Sequence, residues 1–313
     1  MKKVCFAAVC LLAAMLAALV LAGCEGRELC YDHSHKVQVS IEFDWSLAPD
    51  ATPETMVVWF FPLDGSQGLR YELTGDGNAS RYSMDAVVKV PVGTYRMVCH
   101  NGNTEFNIER GSGIGDYVVT TYDVEVLSAM NNRNESAPLP EDMPVRAQAS
   151  TLYAHTLDEP MTVVNDSKIQ QKVVFRPEET SVVCNVVISN VRNLTPEVMA
   201  SAVISGAAEG WHAGSHAPTE ERVAVPFELV QTGDDTLQGS VVLFGVSGVK
   251  KLRIYTSYKY YYDFDISDQI IDQEGKHYIN IDLSGIKLPE NPGSGMSPGV
   301  SDWADAIEET ITM

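Results

Sequence analysis

Few residues of this 313-residue chain have types and spacings that suggest chemistry, and most of those fail on a closer reading. His33 and His35 flank Ser34 beside Asp32. Residues two apart share a strand face, so both imidazoles point the same way. A zinc site needs a third or fourth ligand at workable spacing, and none is present, so the segment reads as a solvated strand entry. His212 and His216 bracket Ala213-Gly214-Ser215. No acidic residue lies between them, and the glycine favours a loop over the helix that a zinc-protease pattern requires. Glu178-Glu179, Asp234-Asp235 and Glu308-Glu309 read as solvated turns or strand faces, and neither a phosphate loop nor a dinucleotide fingerprint occurs. The expectation is therefore a protein that is not an enzyme: no catalytic residue, no metal and no cofactor.

Five tyrosines crowd one stretch, Lys251–Phe264. Leu252, Ile254, Thr256, Tyr258, Tyr260, Tyr262 and Phe264 alternate there with Arg253, Tyr255, Ser257, Lys259, Tyr261 and Asp263. Period two reads as one strand with the even members on the core, so Tyr255 and Tyr261 point outward. With Trp211 they are the candidate ligand-binding aromatics, because exposed rings stack on sugar faces.

The clearest chemical signal is at the start. Met1-Lys2-Lys3 is a basic lead, and Val4 to Ala22 is an apolar run without a charge. The run is long enough to span a bilayer. Leu21-Ala22-Gly23-Cys24 decides between anchor and leader. It resembles the bacterial lipobox, in which small residues let a peptidase hold the backbone closely and the cysteine thiol takes a diacylglyceryl group. Residues 1–23 are then a signal peptide and Cys24 is the lipidation site, acylated by palmitate-type chains; several chains on one residue give stable anchoring where one would not. Glu25 follows Cys24, where Asp is the usual inner-membrane retention signal, so outer-membrane sorting is expected. Cys30, Cys99 and Cys184 remain. Cys99 and Cys184 sit in apolar strand-like runs and read as buried free thiols.

The elements that must carry these residues are nearly all strands. Lys36 to Trp45 alternates without an error, with Val37, Val39, Ile41, Phe43 and Trp45 on one face. Met56–Phe61 is continuously apolar and reads as a more central strand. Tyr71–Leu73, Ala86–Val90, Thr94–Cys99 and Tyr117–Leu127 follow, separated by Gly/Pro/Asn turns. Asn131–Gln171, with Pro138, Pro140, Pro144 and Pro160, reads as a crossing between domains with one strand near Met161–Val164. A second strand-rich block runs from Lys172 to Leu283, with one helical turn opened by Thr195-Pro196. The fold class is all-β, a pair of β-sandwiches: 24–150, then 151–288, then 289–313 as a flexible lead and last strand in which Trp303, Ile307, Ile311 and Met313 share a phase. Opposing 22 Lys+Arg stand 42 Asp+Glu, a net charge of −20, which disfavours a nucleic-acid or anionic-membrane partner, so no nucleic acid is expected.

Several segments together resemble a known family. They are the lipobox; Cys30-Tyr31-Asp32-His33-Ser34-His35 leading to Phe43-Asp44-Trp45; Pro91-Val92-Gly93-Thr94-Tyr95 before an apolar strand and Asn101; Phe244-Gly245; Tyr262-Asp263-Phe264-Asp265-Ile266; and Pro298–Trp303. The chain is similar to Bacteroidetes fimbrillin-like lipoproteins and to the anchor proteins of major and minor fimbriae. The resemblance implies tandem transthyretin-like (Ig-like) sandwiches, outer-membrane attachment with surface exposure, and a role as fimbrial anchor or accessory subunit in fimbria assembly and cell adhesion. Its implied partners are fimbrial subunits joined by β-strand complementation. A surface glycan-binding lipoprotein is the alternative, and a surface hydrolase has the least support.

Overall fold

The computed structural model describes residues 36–75, 86–131, 137–139, 141–166, 168–273 and 275–288. Cys24, Cys30, the His33/His35 pair and the expected last strand in 289–313 lie outside them. The first eleven strands are β1 (Lys36–Phe43), β2 (Thr55–Pro62), β3 (Leu69–Thr74), β4 (Ala86–Pro91), β5 (Gly93–Gly102), β6 (Ile108–Arg110), β7 (Val118–Thr120), β8 (Tyr153–Thr156), β9 (Met161–Val163), β10 (Gln171–Phe175) and β11 (Glu178–Glu179). The others among the described residues are β12 (Val182–Ser189), β13 (Ala200–Ala208), β14 (Gly210–His212), β15 (Ala217–Pro218), β16 (Arg222–Gly233), β17 (Thr236–Leu243), β18 (Lys251–Thr256), β19 (Tyr261–Asp265) and β20 (Tyr278–Ser284), with a short α-helix, α1 (Ser267–Ile271), before β20. The molecule is all-β, as the alternation requires.

Two sheets, ordered β10-β1-β4 and β11-β8-β5-β2-β3 with β9 on β5, close over one core. Val39 and Ile41 of β1 meet Met56, Val58 and Phe60 of β2 and Phe175 of β10 there. The period-two reading of β1 holds: Val39 and Ile41 are fully buried, while Lys36 and Gln38 are exposed and Glu42 reaches Lys172 at 2.6 Å. Strand β2 reads as a continuous apolar run because it is covered on both faces. Its even residues enter the sandwich core, whereas Phe61 and Trp59 meet a small sheet, β15-β14-β7-β6, on the other side.

Strands β8 to β11 lie beyond residue 150, yet they hydrogen-bond into the sheets of β5 and β1; β10 runs parallel to β1, Val39 opposite Gln171. Alternating apolar residues in Lys172–Phe175 specify a strand but not its partner, and the open side of β1 is the apolar edge that takes it.

From Val182 onward one seven-stranded sheet, β19-β18-β13-β16-β17-β12-β20, encloses a single core. It folds over at the twelve-residue β16, whose first part pairs β13 and whose last residues pair β17. The run 251–265, read from sequence as one strand, is a hairpin. Thr256 accepts from the amide of Lys259, which sits at φ 62°, and β19 returns with Tyr261 opposite Tyr255. The phase of the core residues survives the turn: Leu252, Ile254, Tyr262 and Phe264 are all buried.

The outer edge of β20 is closed by side chains. Gln269 donates to the carbonyl of Asp282 (3.1 Å) and accepts from its amide (2.9 Å). Gln273 does the same for Asn280, at 2.7 and 3.0 Å. Two carboxamides four residues apart thus supply what a neighbouring strand would, and an edge otherwise open to pairing is covered.

Candidate functional site

The densest set of polar chemistry joins four strands and one loop. Trp59 (β2) donates through Nε1 to Glu109 (β6) at 3.0 Å, and Arg70 (β3) grips the same carboxylate through Nε and a terminal nitrogen, at 3.1 and 2.9 Å. Tyr117, just before β7, donates to Glu109 at 2.9 Å. His100 (β5) lies 2.7 Å from the Tyr117 hydroxyl through Nε2 and 2.9 Å from the Asn101 carbonyl through Nδ1. Alternation places each side chain on the sheet face that looks toward β6 and β7, away from the sandwich core.

A proton count shows what this chain of contacts can hold. The Asn101 carbonyl and the Glu109 carboxylate only accept. Filling all three contacts needs protons on Nδ1, on Nε2 and on the Tyr117 oxygen, which makes His100 an imidazolium. Burial opposes that charge: His100 is 3% exposed, and desolvation pushes its pKa below the usual value. The neutral ring leaves the chain one proton short. Burial acts on Glu109 too, in the raising direction, but hydrogen bonds from Arg70 and Tyr117 and the charges nearby outweigh it, so the carboxyl sits below its ordinary range. Burial pushes the Tyr117 phenol up.

The sign of the resulting pH dependence is fixed. His100 has a folded pKa below its unfolded value near 6.5, so the unfolded chain binds the extra proton first. That contribution is fully present above pH ~6.5 and is lost as pH falls through the folded pKa; the Glu109 contribution goes at lower pH, below about 4.5. Urea midpoints measured from pH 8 to 5 should fall for the wild type and fall less for His100→Gln. Parallel curves for the two proteins would remove His100 from the account.

A cavity of about 290 Å3 adjoins this network and is lined in part by Asn101, Asn103 and Asn107. Asn101 is spent on the Thr151 carbonyl and the Tyr153 amide (3.0 and 2.8 Å), and Asn107 on both backbone groups of Ser150 (3.0 and 2.9 Å). Apart from that one missing proton its polar groups satisfy one another, so the arrangement works as a clamp between strands. Among the described residues no group of three or more His, Cys, Asp or Glu is placed to hold a metal ion.

The sequence-selected residues are not brought together. Trp211, expected to be exposed, is 1% exposed: it lies in the apolar cluster between β2 and the small sheet, edge-on to His216 at 5.4 Å. Tyr255, expected to point into solvent, is fully buried, with its hydroxyl donating to the Pro138 carbonyl at 2.7 Å. For Tyr255 the cause lies in a distant segment. The alternation assigns the outer face of β18 to water, but Val126, Leu127, Met130 and Leu139 of the preceding segment cover it. Tyr261 stays half-buried under the Arg253 guanidinium, 4.1 Å from its ring centroid. His212 binds Ser215 (3.0 Å) and the Gly115 carbonyl (3.1 Å), and His216 pairs with Glu178 at 2.8 Å; His212 ends β14, and Ala213–His216 form the turn to β15, with no helix between the two histidines. Cys99 and Cys184 are buried free thiols, and burial pushes Cys184 up to about 12.

Sequence reasoning misses the clamp because its members are far apart, Trp59 and Glu109 by 50 residues. It also passes over Gly295-Met296-Ser297-Pro298-Gly299, which has the spacing of a G-x-S-x-G nucleophile elbow but lies outside the described residues. A second unpredicted feature is an apolar cleft of about 460 Å3 at the start of β12, floored by Val182, Phe244, Val249 and Ile270, with Lys250, Lys276 and His277 around it. Among the described residues no helix is long and apolar enough to cross a membrane.

The family described as Domain of unknown function (DUF5119) matches residues 23–228. No curated protein matches the sequence significantly. Among solved structures, a candidate adhesin from Bacteroides ovatus is 18% identical and covers 86% of this chain and 99% of its own, with a TM-score of 0.59. A candidate polysaccharide-binding protein (DUF1812) from Bacteroides thetaiotaomicron is 12% identical over 80% of this chain and 91% of its own, TM-score 0.52. The fimbrial anchor protein Mfa2 from Porphyromonas gingivalis is 14% identical over 80% and 90%, TM-score 0.50. At these identities the likeness is one of fold.

Proposed function

The chain belongs to the DUF5119 family, and on that premise we propose that it is a lipid-anchored cell-surface subunit of an adhesive or fimbrial assembly, without catalytic activity. The observation that carries this reading is a shared fold along almost the whole of both chains with a candidate adhesin, together with the same likeness to a fimbrial anchor protein. The tether is Cys24 and the destination the outer membrane, with Glu25 leaving the sorting signal of the inner membrane absent. Partners are other fimbrial subunits, engaged through extended strands. The glycan-binding alternative rests on Trp211, Tyr255 and Tyr261, of which the first two are covered by protein.

Labelled palmitate should enter the wild-type protein in its native cells and not the Cys24→Ser variant, and the wild type should bring fimbrial subunits with it on purification. Equal labelling of both forms ends the lipid-anchor reading. A labelled protein that co-purifies with no surface subunit ends the fimbrial one.

A further inference from the structure

The described fold ends at Leu288, and 25 residues, 289–313, follow in the sequence. The last thirteen, Ser301–Met313, carry Asp302, Asp305, Glu308 and Glu309 and no Lys or Arg. Interleaved with these acids are Trp303, Ile307 and Ile311. A segment of this make-up asks for an apolar surface with a basic margin.

The cleft at the start of β12 is that surface. Its floor is apolar, and Ile271 on its margin is 66% exposed, a costly position for an aliphatic side chain with nothing over it. Lys250 and Lys276 stand on the margin, and neither makes an ion pair among the described residues, in a chain where acids outnumber bases 42 to 22. Reach is sufficient. Strands β12 and β20 run parallel, and the Leu288 amide donates to the Arg192 carbonyl, so the described chain stops at the far end of β12 from Val182. Ten residues of strand are about 33 Å. The thirteen residues 289–301, rich in Pro and Gly, cover about 40 Å even at the ~3.1 Å per residue of a polyproline path. The nearer sheet edge, β20, has the backbone groups of Asn280 and Asp282 already bound by Gln269 and Gln273.

We propose that Ser301–Met313 of this chain docks in this cleft, its apolar side chains on the floor and its carboxylates against Lys250 and Lys276. The charge complementarity and the connection through 289–300 make the chain's own segment the occupant.

The test is zero-length carbodiimide coupling of the full chain, mixed in equal parts from normal and heavy-isotope preparations and read by mass spectrometry. Lys250 and Lys276 should couple to Asp305, Glu308 or Glu309 within one isotopic form, and Trp303→Ala/Ile307→Ala should lower the yield at least tenfold although every coupling group remains. Mixed-isotope cross-links would make a second copy the occupant and overturn the proposal. An undiminished yield in the double variant, or no coupling to these lysines, would overturn it too. Hydrogen exchange gives an independent reading. Amides of 301–313 should be protected in the wild type and lose that protection in Lys250→Glu/Lys276→Glu, and random-coil exchange in the wild type would sink the idea.

Discussion

Trp211→Ala should cost about 3–5 kcal/mol of stability, the range for emptying a large aromatic site in a core. The indole is almost fully buried among Phe61, Val98, Tyr117 and Phe244, and its Nε1 has no hydrogen-bond partner. Truncation therefore strands no polar group, and the loss is of packing alone. The urea midpoint should fall with the slope unchanged. Tyr261→Ala, at a half-exposed ring, should cost much less. The pair decides between two roles for the same residue. If Trp211 is a sugar platform, its removal abolishes glycan binding in a protein that melts normally; if it is core, any loss of binding follows the unfolded fraction. A Trp211→Ala protein as stable as wild type would contradict the buried placement.

Ile41→Ala carries the second large effect, about 2–5 kcal/mol, against a change within about 0.5 kcal/mol for Gln38→Ala. Ile41 is fully enclosed between the two sheets, while Gln38 on the same strand is exposed. Phe43 should fall between them: it is half-buried and stacks on Phe175 at 5.9 Å, so part of its ring already meets water. Similar losses at Ile41 and Gln38 would mean that β1 sits in the opposite phase.

What the sequence discloses depends on how local the cause is. The faces of β1 and the burial of β2 follow from apolar spacing, which one strand carries by itself. The hairpin at 257–260 does not, because Thr256, Tyr258 and Tyr260 continue the alternation through the turn and Lys259, not Gly or Asn, takes the left-handed position. The five residues of α1 are too few for a helical period to register. Alternation assigns Tyr255 to solvent, as is sound for a sheet with one wet face; what buries it arrives from 126–145, more than a hundred residues earlier. The clamp at Glu109 is less legible still. A lone Glu in Ile108-Glu109-Arg110 is an ordinary solvated strand residue until Trp59, Arg70 and Tyr117 converge on it.

The parallel pairing of β1 with β10 sets a clock on biosynthesis. On one side β1 neighbours β4, complete at Pro91, but its other neighbour is finished only at Phe175, 84 residues later. In an exported chain that interval lasts as long as those 84 residues take to follow β4 across the membrane. Throughout it β1 presents an unpaired edge beside the apolar row Val37, Val39, Ile41, Phe43. Hairpins such as β18–β19 close in microseconds once made. The first described strand is therefore among the last to be sealed, and a holding chaperone that recognises short alternating segments would find its natural target at Lys36–Phe43.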